Sequence, residues 1–182
     1  VFIDLKVPGD IDNTIGAVVD LCVELKNVKF FTLSESMPLK SVAAASAAKK
    51  ARHSEYPNLL TVPFLSSLDA SDLRGIAGEE VTLEQYILTR ANASLQAGCD
   101  GVIASGEAIK LCRQHLPART LIVSPGIRPI GSPTNDHKRF TTPSQAIHLG
   151  ADYLVVGRPI TQDPDPRRAA QRIIDEIDVA GE

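Results

Sequence analysis

Leu121-Ile-Val-Ser-Pro-Gly-Ile-Arg128 and Tyr153-Leu-Val-Val-Gly-Arg158 decide the fold of this chain, because each joins an apolar, strand-like run to a glycine–arginine turn. Two consecutive βα units of this kind are typical of the last two strands of a (β/α) barrel. There, the loops hold phosphate with backbone N–H groups and cationic side chains. The two turns therefore predict a barrel enzyme that binds a phosphoester.

The same alternation extends over the whole chain. Helical patterns separate six apolar, β-rich runs: Val1–Leu5, Val28–Leu33, Leu59–Leu65, Gly101–Ala104, Thr120–Val123 and Tyr153–Val156. Strand and helix in alternation, without a hairpin signal, predict a parallel sheet. Helix ends are marked as well: Thr82-Leu-Glu-Gln85 is a capping box that begins a helix ended by Gly98, and Thr142-Pro143 begins a helix ended by Gly150.

The number of units sets the expected architecture. A closed barrel of this type has eight βα units, and six are present here. We therefore predict an α/β protein of the TIM-type (β/α) barrel class, in which residues 1–182 form a single incomplete domain equivalent to strands three to eight. About 50–60 upstream residues would then be absent. An open doubly wound sheet is the alternative, but the Gly-rich loop expected after its first strand is lacking.

Composition excludes several classes of protein. The net charge of −3 and pI near 5.8 give no footprint for nucleic acid. No apolar run approaches the ~18–20 residues of a membrane span. Cys22, Cys99 and Cys112 have no metal-binding spacing and are odd in number, which favours reduced, buried thiols in a cytoplasmic protein.

Charged residues stand at the end of the first strand. Alternation along Val1-Phe-Ile-Asp-Leu-Lys6 places Val1, Ile3 and Leu5 on one face, expected under the helices, and Asp4 and Lys6 on the other, inside the mouth of the barrel. Opposite charges there are costly unless they are paired or used. A salt bridge at a strand end, followed by an ordinary helix cap, is the structural alternative to a catalytic pair.

Taken in order, these motifs resemble a known family. Asp4-Leu-Lys6 with Asp10-Ile-Asp-Asn-Thr14 is similar to the D-x-K-x-x-D-I-x-N-T signature of the orotidine 5′-phosphate decarboxylase family. The likeness continues in chain order, as in the bacterial branch, through Leu65-Ser-Ser67, Asp69-Ala-Ser-Asp-Leu73, Gly98-Cys-Asp-Gly-Val102, Ser124-Pro-Gly-Ile-Arg128-Pro, Asp136-His-Lys-Arg139, Gly150-Ala-Asp-Tyr153 and Val156-Gly-Arg158-Pro-Ile-Thr161.

The resemblance implies decarboxylation of orotidylate to uridylate, the last step of de novo pyrimidine nucleotide synthesis, without metal or cofactor. Lys6 would protonate the C6 carbanion and Asp4 would orient Lys6, both touching the substrate. Asp10 would be lent to the partner's site across a homodimer. Ile11 and Thr14 would contact the substrate, and Ser66 would hydrogen-bond the pyrimidine or, alternatively, its own backbone.

The two glycine–arginine turns would bind the phosphate end of the substrate. By the same resemblance, Arg128, Gly157 and Arg158 would bind the phosphate through forked guanidinium donors and an unobstructed glycine N–H. The loop between Arg128 and Thr142 is long enough to act as a lid. His137 stands there where many family members have a substrate-touching glutamine, although an exposed loop histidine is the alternative.

Three departures from the family pattern bear on function. The Lys6–Asp10 spacing is one residue longer than usual, which is about 3.3 Å of extended chain. The family has an aspartate on the first strand of the complete barrel and a lysine on the second, and this chain, which starts at the equivalent of the third strand, has neither. Leu33-Ser-Glu-Ser-Met37 replaces the usual His and Gly-Gly after the fourth strand. Two alternatives therefore stay open: a magnesium-dependent sugar-phosphate decarboxylase or aldolase of the same suprafamily, or a phosphoester-binding homologue without turnover.

Overall fold

The computed structural model describes residues 1–7, 12–34, 36–65, 68, 70–129 and 141–180. Strands and helices alternate along them: β1 (Phe2–Val7), α1 (Asp12–Glu24), β2 (Phe30–Leu33), α2 (Leu39–Ala51), β3 (Asn58–Thr61), α3 (Ala70–Ala77), α4 (Leu83–Gln96), β4 (Gly101–Ile103), α5 (Glu107–His115), β5 (Leu121–Ser124), α6 (Pro143–His148), β6 (Tyr153–Leu154), α7 (Arg158–Thr161) and α8 (Pro166–Ala180). None of these helices combines the length and apolar character needed to cross a bilayer.

The strands follow one another in chain order. The order in the sheet is β1-β2-β3-β4-β5-β6, and the described pairings are parallel. By density of contacts, the chain divides into two compact units. The first comprises residues 1–65 and 85–102, and the second comprises residues 66–84 and 103–182.

Helices α1 and α2 cover the apolar strands of the first unit. Its core is built from Ile15, Val19 and Cys22 of α1, Val42 and Ala45 of α2, and strand residues that include Phe31, Leu33 and Leu59. The spacing of Ile15, Val19 and Cys22 puts these side chains on one helical face, which explains why α1 forms against the sheet. Beyond the end of α1, Leu25 is exposed rather than on that buried face.

A glycine–x–aspartate corner joins α4 to β4 in the first unit. Gly98 has φ of +112° and closes α4 with bonds from the Gly98 N–H to the Leu95 carbonyl (3.0 Å) and from the Cys99 N–H to the Ser94 carbonyl (3.0 Å). This is the Schellman pattern, in which glycine relieves the left-handed strain. Asp100 then exchanges two hydrogen bonds with the backbone of Leu59, at 2.9 and 2.8 Å. It also pairs with Lys49 of α2, with the Nζ 2.6 Å from Asp100 Oδ2.

The second unit contains the same corner between α6 and β6. Gly150 has φ of +105°, and bonds run from the Gly150 N–H to the Ile147 carbonyl (2.9 Å) and from the Ala151 N–H to the Ala146 carbonyl (3.0 Å). Asp152 exchanges bonds of 2.8 and 2.7 Å with the backbone of Ile122 and pairs with Arg113 at 2.8 Å. Each corner therefore holds the start of one strand to the start of its predecessor.

All six predicted strands and the predicted helix ends are present. The Thr142 capping box forms as expected, with the Thr142 side chain accepting from Gln145 N–H and the Gln145 side chain accepting from Thr142 N–H. One expectation about β1 is wrong: Val1 and Leu5 are each 67% exposed instead of packed under helices, although Ile3 does contact the core. An irregularity in β1 explains the position of Leu5.

Candidate active site

Asp4 and Lys6 form an ion pair at the carboxyl end of β1. Lys6 Nζ lies 2.6 Å from Asp4 Oδ2, and the two side chains are 39% and 47% exposed, respectively. A half-exposed pair contributes only about 0–1 kcal/mol to folding, because water screens it and both side chains lose freedom. The pair is therefore poorly suited to a structural role and is accessible to a ligand.

The backbone of β1 is irregular where it carries this pair. Ile3 pairs with Phe31 and Val7 pairs with Leu33, so the register shifts between these two pairs. Three residues of β1, Asp4 to Lys6, therefore stand opposite Thr32 alone. Lys6 has φ of +46°, in the left-handed region. For a non-glycine residue this conformation costs about 1–2 kcal/mol. Bulges of this kind re-aim side chains and are common beside active sites.

The Thr32 side chain hydrogen-bonds the irregular part of β1. Its hydroxyl donates to Asp4 Oδ1 at 2.8 Å and accepts from the Lys6 backbone N–H at 3.2 Å. The Ile3 carbonyl lies 3.4 Å from the same hydroxyl. Thr32 is fully buried, so water does not compete for these bonds. Our sequence analysis missed this residue, although a single polar side chain within the apolar strand Phe30-Phe-Thr-Leu33 was an available signal.

Several of the predicted site residues lie outside the described residues. These are Asp10, Ile11, Ser66 and His137, and their roles stay predictions. Thr14 is described: it lies in the first turn of α1 and is exposed. The structure thus brings together Asp4 and Lys6 among the residues predicted for the reacting end of the substrate.

Arg128 lies in the second unit, after β5, and is 5% exposed. Its Nη1 donates to the Ile127 carbonyl at 2.7 Å, and its backbone N–H donates to the Thr141 carbonyl at 2.9 Å. Ile127 also forms an isolated parallel bridge with Thr141. The preceding Gly126 has φ of +75°, which glycine adopts without strain. Arg128 is therefore a buried cation, and the contacts of Ile127 and Arg128 with Thr141 hold its backbone in place.

The second predicted turn begins helix α7. Gly157 occupies the N-cap position, with φ of −103° and ψ of −106°, and its carbonyl accepts from the N–H groups of Ile160 and Thr161 at 2.9 and 3.1 Å. A Cβ added at Gly157 would meet nothing within 4 Å, so the space beside this backbone is open. Arg158 follows as the first helical residue and is partly buried. Both arginines thus follow strands of the same unit.

The cysteines are buried and poorly reactive. Burial raises the pKa of Cys99 to about 12 and that of Cys112 to about 11, and it also raises the pKa of Cys22. At neutral pH their thiolate fractions are very small, so thiol nucleophiles are a poor basis for catalysis here. Over the described ranges, no three His, Cys, Asp or Glu side chains cluster in a way that could hold a metal ion.

Comparison with known proteins places the chain among one family. The model of the Orotidine 5′-phosphate decarboxylase / HUMPS family matches residues 1–173. The chain is 42% identical over 181 residues to orotidine 5′-phosphate decarboxylase of Dictyoglomus turgidum, covering 98% of this chain and 74% of the relative. It is 40% identical over 173 residues to the same enzyme of Methylococcus capsulatus, covering 94% of this chain and 67% of the relative.

Solved structures agree with this comparison. Orotidine 5′-phosphate decarboxylase from Lactobacillus acidophilus superposes with a TM-score of 0.73 at 27% identity, covering 97% of this chain and 72% of that one. An uncharacterized conserved protein from Geobacillus kaustophilus superposes with a TM-score of 0.78 at 24% identity and covers 97% and 75% of the two chains. The TIM-type (β/α) barrel class with six βα units is thereby confirmed.

Proposed function

This chain belongs to the Orotidine 5′-phosphate decarboxylase / HUMPS family, and from that premise we propose that it decarboxylates orotidine 5′-phosphate to uridine 5′-phosphate. The geometry that carries the proposal is the Asp4–Lys6 pair, an accessible lysine held by a carboxylate at the carboxyl end of β1. In barrels of this class, reacting groups stand at that end of the strands.

The chemistry that we propose for Lys6 follows from where charge moves. As the bond between C6 and the carboxylate breaks, CO2 leaves and the electron pair stays on C6. The Lys6 ammonium faces this pair and then donates its proton to C6, and solvent reprotonates the amine. At 4 Å and an effective dielectric constant near 20, such a contact contributes about 4 kcal/mol, compared with about 1 in water. Because the interaction strengthens as charge reaches carbon, it favours the transition state over the substrate.

Asp4 has two proposed tasks in this scheme. It fixes Lys6 through the 2.6 Å ion pair, and its negative charge lies near the substrate carboxylate before that group leaves. Like charges in proximity disfavour the ground state, and the repulsion is relieved as CO2 departs. Ile11 and Thr14 would contact the substrate beside this pair, and Ser66 would hydrogen-bond the pyrimidine.

The phosphate is proposed to bind at the two glycine–arginine turns. Arg128 and Arg158 would supply guanidinium donors, and Gly157 would supply a backbone N–H beside open space. His137 would donate to the substrate from the loop between the turns. Binding energy from the non-reacting phosphate can be used to reach the transition state, so we expect truncated substrates to lose turnover as well as affinity.

The test is an orotidylate assay that follows loss of the orotate ultraviolet band and formation of uridylate and CO2. The proposal expects turnover that is unchanged by EDTA. Uridylate binding without turnover would instead support the non-catalytic homologue. Magnesium-dependent conversion of a sugar phosphate, with orotidylate untouched, would support the aldolase alternative.

We also propose a cytoplasmic homodimer in which Asp10 completes the partner's site. A complementation experiment tests the sharing directly. Asp10→Ala and Lys6→Ala chains should each be inactive, whereas mixing them should restore activity, because one site of each mixed dimer then keeps both groups. Failure of the mixture to regain activity, with mixed dimers demonstrated by mass, would contradict shared sites.

A further inference from the structure

We propose that Thr32 is a positioning residue for the Asp4–Lys6 pair, acting through its hydroxyl from the neighbouring strand. The inference rests on the proposed function and adds a residue that the sequence motifs do not contain. Thr32 touches both members of the pair, although it is buried and belongs to β2.

The bulge in β1 leaves backbone groups without their usual partners on β2. Where Asp4, Leu5 and Lys6 oppose one residue of β2, the regular ladder cannot pair every backbone group of β1. The Thr32 hydroxyl accepts the Lys6 N–H at 3.2 Å. It therefore takes the place of a ladder partner for the residue that holds the left-handed φ of +46°. The bond stabilises this backbone conformation, which sets the direction of the lysine side chain.

The proton of the Thr32 hydroxyl orients the Asp4 carboxylate. Thr32 has one proton to donate, and two oxygens lie near it: Asp4 Oδ1 at 2.8 Å and the Ile3 carbonyl at 3.4 Å. The shorter bond is to a charged acceptor, so it is the stronger one. Asp4 Oδ1 is then occupied by Thr32 while Oδ2 faces Lys6 Nζ at 2.6 Å. One hydroxyl thus fixes the rotation of the carboxylate and the backbone of the lysine together.

Threonine suits this position for two reasons. Its hydroxyl serves as donor and acceptor at once, and its β-branched side chain is restricted at χ1. Burial of the residue excludes water that could replace these bonds. Valine has nearly the same shape but neither function, and serine keeps both functions on a less restricted side chain.

The experiment compares Thr32→Val with Thr32→Ser in the full chain, using orotidylate turnover. We expect Thr32→Val to lower kcat about 100-fold with little change in KM, because misplacement of a reacting group by about 1 Å has an effect of that size. Thr32→Ser should retain activity within about 5-fold. Thr61→Val is the matched control: Thr61 is also a buried strand threonine of the first unit, and among the described residues its side chain bonds to neither Asp4 nor Lys6. It should keep wild-type kcat.

A double-mutant cycle separates positioning from general damage to the fold. In an Asp4→Ala background, Thr32→Val should lower kcat by clearly less than the ~100-fold expected in the wild-type background, because the bond to the carboxylate is already gone and only the bond to the Lys6 N–H is left to lose. Equal kcat for the wild-type chain and Thr32→Val, or an undiminished loss in the Asp4→Ala background, would overturn this inference but leave the proposed function standing. Absence of orotidylate turnover in the wild-type chain would overturn the proposed function and this inference with it.

Discussion

Two lysine–aspartate pairs in the first unit have the same N–O distance of 2.6 Å but different surroundings. Asp4 and Lys6 lie at the carboxyl end of β1, with 47% and 39% of their side chains exposed. Asp100 lies at the amino end of β4, where it pairs with Lys49 of α2, and the side chains of Lys49 and Asp100 are 8% and 31% exposed. The carboxylates also differ in their second partner, a threonine hydroxyl in one case and the Leu59 backbone N–H in the other.

The difference shows that geometry alone does not define the role of an ion pair. Lys49 is buried, so loss of either partner of the Lys49–Asp100 pair leaves a poorly compensated charge and lowers the stability of the fold. The pair therefore holds α2 against the sheet. The Asp4–Lys6 pair contributes little to folding and lies on strained backbone, which supports the catalytic role that we propose for it.

The strongest test of the contrast is Lys6→Ala. We expect a loss of turnover of about 1,000-fold or more, since both the cation and the proton donor are removed. The free energy of unfolding should change by less than about 1 kcal/mol. Lys26→Ala is a matched control, because Lys26 is an exposed lysine that also has a left-handed φ, of +56°. Unchanged turnover in Lys6→Ala would eliminate the proposed proton donor.

The reciprocal change is Lys49→Met. Here we expect the free energy of unfolding to fall by about 2–3 kcal/mol, because Asp100 is left without its cation, although it is 31% exposed and keeps its bond from the Leu59 N–H. Turnover per folded molecule should be unchanged. Urea denaturation would measure the effect, with the adjacent, exposed Lys50→Met expected to stay within about 0.5 kcal/mol of wild type. Equal stability of both variants would show that the buried pair does not stabilise the fold.

The corner that presents Asp100 can be disturbed without changing a charge. A Cβ at Gly98 would overlap Ser46 Oγ and would lie 2.6 Å from Ser46 Cβ, on backbone with φ of +112°. We expect Gly98→Ala to cost about 2–3 kcal/mol through strain and overpacking. Gly78→Ala isolates the conformational part, since Gly78 has φ of +85° and open space around it. It should cost only about 1 kcal/mol. Thermal unfolding of the two variants would show whether they differ.

The smallest expected effect is a pH dependence at Cys99, next to the buried pair. Burial raises its pKa from 9.0 to about 12, the Asp100 charge adds to the rise, and Lys49 opposes it. Because the folded pKa exceeds the unfolded one, the contribution to stability is intact below about pH 9 and is lost as pH rises towards about 12. At pH 10 the expected loss of unfolding free energy is on the order of 1 kcal/mol. Cys99→Ala should therefore flatten the decline in unfolding free energy between pH 9 and 11, and an unchanged slope would contradict this.

Much of the fold could be predicted from local signals. Apolar runs, capping residues and closing glycines fix where each element starts and ends, and the structure has all six strands. Period-two alternation also placed Asp4 and Lys6 on one face correctly. It failed for Leu5, because a bulge changes the direction of side chains without leaving a local mark in the sequence.

The contacts of Thr32 show the limit more clearly. Its importance depends on which residue of β2 stands opposite the bulge, and register between strands far apart in sequence is a tertiary property. The motif identified the charged residues by type and spacing. It did not contain the neutral side chain that holds them, since no local pattern connects position 32 with positions 4 and 6.

The paired corners at Gly98-Cys-Asp100 and Gly150-Ala-Asp152 have a consequence for protein engineering. In each corner a glycine ends the helix with a Schellman pattern, and the aspartate exchanges two hydrogen bonds with the backbone of the preceding strand. The aspartate also pairs with a basic residue from the helix before that strand. We therefore expect the two corners to be exchangeable. Chimeras in which one corner replaces the other together with its basic residue should keep the main-chain bonds at the crossover, so these positions are suitable boundaries for recombining βα modules.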